Sequence, residues 1–140
     1  MPLDPNTVQV GQELPPLEKG AITREMLKVY GPAAGDPNPM HVDEEFARNA
    51  GYPGVFAHGM LSMGYLGELV VNAAGVGNVR RLRARFAKLT WPGDIITCRG
   101  TVTALRDEDR VRLVDCDIWT ETQTGERKVT GSATLALPRG

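Results

Sequence analysis

Residues 59–74, GMLSMGYLGELVVNAA, carry a single charge, Glu68. Apolar or small residues go round most of the circumference, so a helix here has no broad polar face and must be buried. At 1.5 Å rise per residue it spans about 24 Å, too short for a bilayer and right for the centre of a small domain. Such a helix needs the rest of the chain as its wrapping.

The residues after it supply that wrapping. Arg81, Arg83 and Arg85 alternate with Leu82, Ala84 and Phe86, which is the period of a strand. Three more strand-like runs follow, at residues 95–105, 111–121 and 127–138, with Val129, Ala133, Leu135 and Leu137 on one face of the last. The separating segments TWPGD, RDEDR and TQTGE read as turns. Four strands joined in this way predict an antiparallel meander with one apolar face, curled round the helix. The fold class is therefore α+β, a sheet wrapped around a central buried helix, in a single domain over residues 1–140.

The first half is more broken. VQVGQEL can hold one short strand before Pro15 and Pro16. Thr23 is an N-cap candidate for a helix to about Gly31, with Met26, Leu27 and Tyr30 spaced to face a core. Asp43 is the next N-cap candidate, with Asn49 and Gly51 closing its helix. Between them GPAAGDPNPMH holds three prolines and two glycines, and is a loop.

Composition removes several classes. Sixteen basic against seventeen acidic side chains leave a net charge of −1, which gives no electrostatic case for nucleic acid or an anionic membrane. The N-terminal residues have no basic stretch followed by an apolar one, so no secretory signal is read and the cytoplasm is the expected compartment. Cys98 and Cys116 both fall in strand-like runs and read as small buried thiols. Asp36, Asp43, Glu44 and the two histidines have no recognisable ligand spacing, so neither a metal nor a bound redox cofactor is expected.

Only His41 and His58 are histidines. Pro37 and Pro39 fix φ at two positions of the loop that carries Asp36 and His41. A carboxylate and an imidazole facing one site form an acid–base pair able to work near neutral pH. From the residues alone the plainer reading comes first, with Asp36 a turn residue and His41 a partly buried polar residue before a helix. Gly59 opens the buried helix, where N–H groups lack intrahelical partners and the dipole favours developing negative charge. The plainer alternative there is an ordinary helix start, with His58 a buried, satisfied polar residue.

Taken together, Tyr30, GDPNPMHVDEEFA and FAHGMLSMG, followed by RARFAKLTWPGDIITCRGTVTAL, resemble the MaoC-like or (R)-specific enoyl-CoA hydratase (hydratase 2) family of the hot-dog fold. The resemblance runs from about Val10 to Leu137. It implies a hydro-lyase that interconverts a trans-2-enoyl thioester and its (3R)-3-hydroxyacyl form by adding or removing water. It implies Asp36 and His41 as the catalytic pair, Asn38 as support for their loop, and the Gly59 N–H as donor to the thioester carbonyl. Coenzyme A or phosphopantetheine would be present only as part of the substrate. Some family members place a hydrogen-bonding serine where Gly67 stands here, and Ser62 lies nearer the helix start. Neighbouring readings are a dehydratase subunit acting on acyl carrier protein, a non-catalytic acyl-binding subunit of a hetero-oligomer, and a thioesterase, which would not be expected to carry the Asp-x-Asn-Pro-x-His loop.

Three expectations go with this. Arg83 and Arg85 either form a solvated strand face or contact the phosphates of the carrier. Gly64 and Gly67, flanked by Met60 and Val71, either let the helix press on the sheet or leave room for an acyl chain. Unpaired sheet edges predict at least a homodimer, with a heterodimer as the alternative.

Overall fold

The structure is a computed structural model and describes residues 2–140. Its elements run β1 (Leu17–Ala21), α1 (Arg24–Ala34), α2 (Glu44–Asn49), α3 (Gly59–Ala74), β2 (Val79–Phe86), β3 (Ile95–Glu108), β4 (Val111–Glu121) and β5 (Arg127–Pro138), with a 3-10 turn at Pro39–His41. The strands form one antiparallel sheet in the order β1-β3-β4-β5-β2. This is the α+β arrangement read from the periods.

α3 is the centre of the core. Leu66, Leu69, Val70 and Ala73 on it are at most 1% exposed, and Ile96, Val102, Val114, Ile118 and Leu135 meet them from the sheet. Val129, Ala133, Leu135 and Leu137 are all buried, as the alternation of β5 requires. Cys98 and Cys116 are free and buried among them, and burial pushes both thiols up to about 12. The helix starts also follow local chemistry. The Thr23 side chain accepts from the Met26 N–H, and that of Asp43 from the Phe46 N–H.

Three expectations are corrected. The first strand lies after Pro15 and Pro16, not in VQVGQEL: β1 pairs with β3, while the earlier segment contributes one isolated bridge, Glu13 to Thr101. Gly11 there has φ 88°, which interrupts extended pairing. LEKGA offers one large apolar residue, Leu17, and so no alternation to read. Only β3, β4 and β5 form a meander. β2 crosses over and pairs with β5, Leu82 opposite Ala133 and Phe86 opposite Val129, because side-chain period fixes the face of a strand and not its neighbour. Finally, α1 runs past Gly31 through Pro32 to Ala34, and Gly35 at φ 71° ends it.

Candidate functional site

The proline-bearing loop leaves α1 and tightens into the 3-10 turn, with Asn38 as its cap. The Asn38 side chain accepts from the Met40 N–H at 3.1 Å, and the Asn38 N–H donates to Asp36 Oδ1 at 3.2 Å. One carboxylate oxygen is thus tied to the loop. The other, Oδ2, lies 4.0 Å from His41 Nε2.

His41 is buried, and its Nδ1 is 2.7 Å from the carbonyl oxygen of Phe56. A carbonyl only accepts, so Nδ1 carries the hydrogen and a neutral ring presents Nε2 as a bare acceptor towards Asp36. The Phe56 carbonyl is itself placed from both sides. The Val55 N–H donates to Glu44 Oε2 at 3.3 Å, and the Ala57 N–H to the Thr90 carbonyl at 2.8 Å. Glu44 is held by Arg24 at 2.8 Å, and that hydrogen bond keeps its carboxyl below the ordinary value. Sequence reading missed Glu44, Phe56 and Thr90, because their contribution is a long-range backbone contact with no local pattern.

His58 caps α3 by backbone position alone, with no side-chain hydrogen bond to the helix. A serine or aspartate here would claim first-turn N–H groups; histidine leaves them to a ligand. The His58 ring stacks on His41, centroids 3.9 Å apart at 27°, and meets the edge of Tyr30 at 4.9 Å. It is 1% exposed, yet its Nδ1 has no hydrogen-bond partner. The expectation of a satisfied buried histidine is therefore corrected: it is buried and unsatisfied. Burial, followed by the charge of His41, lowers its pKa.

Donor atoms of Asp36, His41 and His58 lie within 4.8 Å of one another. Gly59 follows His58 and so places its N–H beside this cluster. A Cβ at Gly59 would sit 3.1 Å from the Phe86 ring, so any larger residue at the helix start would have to push that ring aside. A cleft of about 600 Å³ opens beside Asp36, lined by Lys28, Gly31, Pro37 and Val42. A second, of about 150 Å³, lies at His58, Gly59 and Ser62 against Phe86, Leu89 and Val129. Ser62, one turn into α3, is thus at the site, while Gly67 is further along.

The structure brings Asp36, Asn38 and His41 together, sets Gly59 after His58 in the smaller cleft, and leaves the other candidates elsewhere. Arg83 and Arg85 lie on the sheet face opposite α3, in an open cleft with Asp117, Trp119 and Arg127. The alternation that turns Leu82 and Ala84 towards the core turns these arginines out. Gly64 is exposed and a Cβ there would meet nothing within 4 Å; one at Gly67 would meet Leu82 at 3.9 Å. Neither glycine is pressed by the sheet, so close helix–sheet contact is not their reason.

The family model described as "MaoC like domain" matches residues 6–124. The chain belongs to the MaoC-like family. It is 33% identical over 114 residues to the (R)-specific enoyl-CoA hydratase of Aeromonas caviae, covering 80% of this chain and 84% of that protein. The solved (R)-hydratase of A. caviae superposes with a TM-score of 0.81 at 27% identity, covering 94% and 98% of the two chains. A "UPF0336 protein" of Thermobifida fusca is 30% identical over 137 residues, covering 91% and 88%. Other MaoC-like relatives are longer: this chain spans 25% of the peroxisomal enoyl-CoA hydratase 2 of Arabidopsis thaliana. The fold also matches the ChsH1-ChsH2 complex of Mycobacterium tuberculosis, TM-score 0.79 at 23% identity, covering 94% and 98%. The family is one of hydratases and dehydratases, and its hot-dog fold is the sheet-and-helix arrangement described above.

Proposed function

We propose that the protein adds water to trans-2-enoyl thioesters, or removes it from (3R)-3-hydroxyacyl thioesters, with Asp36 and His41 as the acid–base pair. The observation that carries this reading is the 4.0 Å gap between Asp36 Oδ2 and His41 Nε2. It is too long for a direct hydrogen bond and fits one water. An oxygen ~2.8 Å from each acceptor subtends roughly a right angle, near the angle between the two O–H bonds of water. Asp36 Oδ1 and His41 Nδ1 are engaged elsewhere, which leaves Oδ2 and Nε2 as the free acceptors on either side of that gap.

In hydration, one of the pair takes a proton from that water as its oxygen bonds to the β-carbon. The electron pair of the double bond moves to the thioester carbonyl, where the Gly59 N–H and the helix dipole stabilise the oxyanion. The pair then passes the proton to the α-carbon, so that H and OH have been added and the pair is as it began. No step requires a metal or a redox cofactor. Coenzyme A and acyl carrier protein are the two carriers this chemistry admits.

We also propose that the protein works as a homodimer at least. β2 is an edge strand with one side unpaired, and Phe86 at its end and Met60 and Val71 on α3 are exposed. A second copy is preferred; a related but different chain is the alternative, as in the ChsH1-ChsH2 complex.

The test is turnover of crotonyl-CoA and longer enoyl-CoAs, followed by loss of enoyl absorbance. Asp36→Asn and His41→Ala should each lower kcat by at least ~10², with KM and folding largely kept. Near-full turnover by Asp36→Asn overturns the mechanism. Binding without turnover by the wild type, with both CoA and carrier-protein thioesters, makes the chain a non-catalytic acyl-binding subunit.

A further inference from the structure

We propose that His58 is a positioning residue for the Asp36–His41 pair, its buried ring stacking on the His41 imidazole and holding the plane in which Nε2 faces Asp36. The proposal rests on the hydratase reading and adds to it a residue that takes no part in the proton transfer.

A single hydrogen bond, Nδ1–H to the Phe56 carbonyl, holds the His41 ring at one edge and restrains rotation about Cβ–Cγ without stopping it. A pair that must hold a water between two acceptors needs that rotation stopped. Two rings stop it. Phe56 meets His41 edge-on at 5.1 Å and 82°, and His58 covers a face at 3.9 Å and 27°. His58 can serve as a wall because it is itself immobile. Its backbone begins α3, Tyr30 meets its ring at 4.9 Å, and Gly31 backs it so closely that a Cβ there would come within 3.4 Å of Nε2. The lowered pKa of His58 keeps the wall uncharged at neutral pH, so it does not oppose a proton arriving on His41.

The unpartnered Nδ1 sets the terms of the test, because it separates a ring acting by its face from one acting by its nitrogen. Under the proposal His58→Ala lowers kcat about 10²-fold with little change in KM, and His58→Phe, which restores a ring face, recovers most of the loss. Activities are taken per folded molecule, with melting temperature recorded beside them. A His58→Ala protein that keeps its kcat while melting earlier overturns the proposal in favour of a purely structural histidine. A His58→Phe protein that folds but is as slow as His58→Ala overturns it in favour of the nitrogen. A second readout needs neither substrate nor variant. Ring ¹⁵N shifts of His41 in the wild type should report one tautomer, hydrogen on Nδ1. Tautomer averaging there overturns the proposal even if the variants fail to fold. Absence of turnover on any enoyl thioester, by contrast, removes the hydratase reading and leaves the ¹⁵N result standing.

Discussion

At the scale of single residues, the site is a set of directions imposed on a few polar atoms. Asp36 has one oxygen tied down and one free because Asn38 supplies a backbone N–H to the first. Asn38→Ala removes the cap on the Met40 N–H, which costs about 1 kcal/mol for an N-cap and loosens the loop. The expected outcome is a roughly tenfold lower kcat, because a small misplacement of a reacting group is enough to slow it; Asn38→Asp, which keeps an accepting oxygen, should recover stability. Chemical melts and steady-state kinetics check both. His58 gives a pH prediction. Its folded pKa lies below the ordinary 6.5, first through burial and then through the charge of His41. The unfolded chain therefore binds the proton more readily. The contribution of His58 to stability is complete above pH 6.5 and is lost as pH falls below it. Glu44, held low by Arg24, and Glu126, held low by Lys128 and Lys88, act from their ordinary 4.5 downwards, so the two windows separate. Melting temperature should fall between pH 6.5 and 5, and His58→Phe should flatten that slope.

At the scale of elements, two glycines make opposite predictions. Gly131 in β5 lies so close to β2 that a Cβ would be 2.0 Å from the Arg83 carbonyl oxygen. Backbone cannot yield cheaply, so Gly131→Ala should destabilise by at least the ~1–3 kcal/mol of an overpacked core. Gly64 in α3 faces open space, and Gly64→Ala should stabilise by up to ~1 kcal/mol through helix propensity alone. If activity or self-association falls while stability rises, substrate or a second copy uses that face. β2 also separates the arginines from the reaction. Arg83 and Arg85 can reach a carrier's phosphates only if the thioester's tail passes over this edge strand. In that case Arg83→Ala with Arg85→Ala raises KM at low salt and leaves kcat unchanged; an unchanged KM marks them as a solvated face.

At the scale of the whole molecule, one helix and one sheet share a core, and the reaction site sits where the helix begins. Sedimentation at micromolar concentration should give at least a dimer; a monomer that retains full activity contradicts the second-copy proposal. The two thiols report on the same core. Both are buried and held protonated to about 12, so a thiol reagent should modify neither until the chain unfolds. No helix among the described residues is long and apolar enough to cross a membrane.

The central helix, the two side-chain N-caps and the inward face of β5 were legible in the sequence, because each depends on periodicity or on a hydrogen bond within three residues. Asp36, Asn38 and His41 could be picked out as a group, because prolines stiffen the loop they share. What the sequence could not state was partnership across the chain. β2 beside β5, β1 after the prolines rather than before, the Phe56 carbonyl under His41 and the His58 ring over it join residues up to 81 positions apart, as Leu17 and Cys98 are. Side-chain pattern says which face of an element is buried. Which element it is buried against, and which atom of a histidine is left free to accept a proton, is decided only when the elements pack.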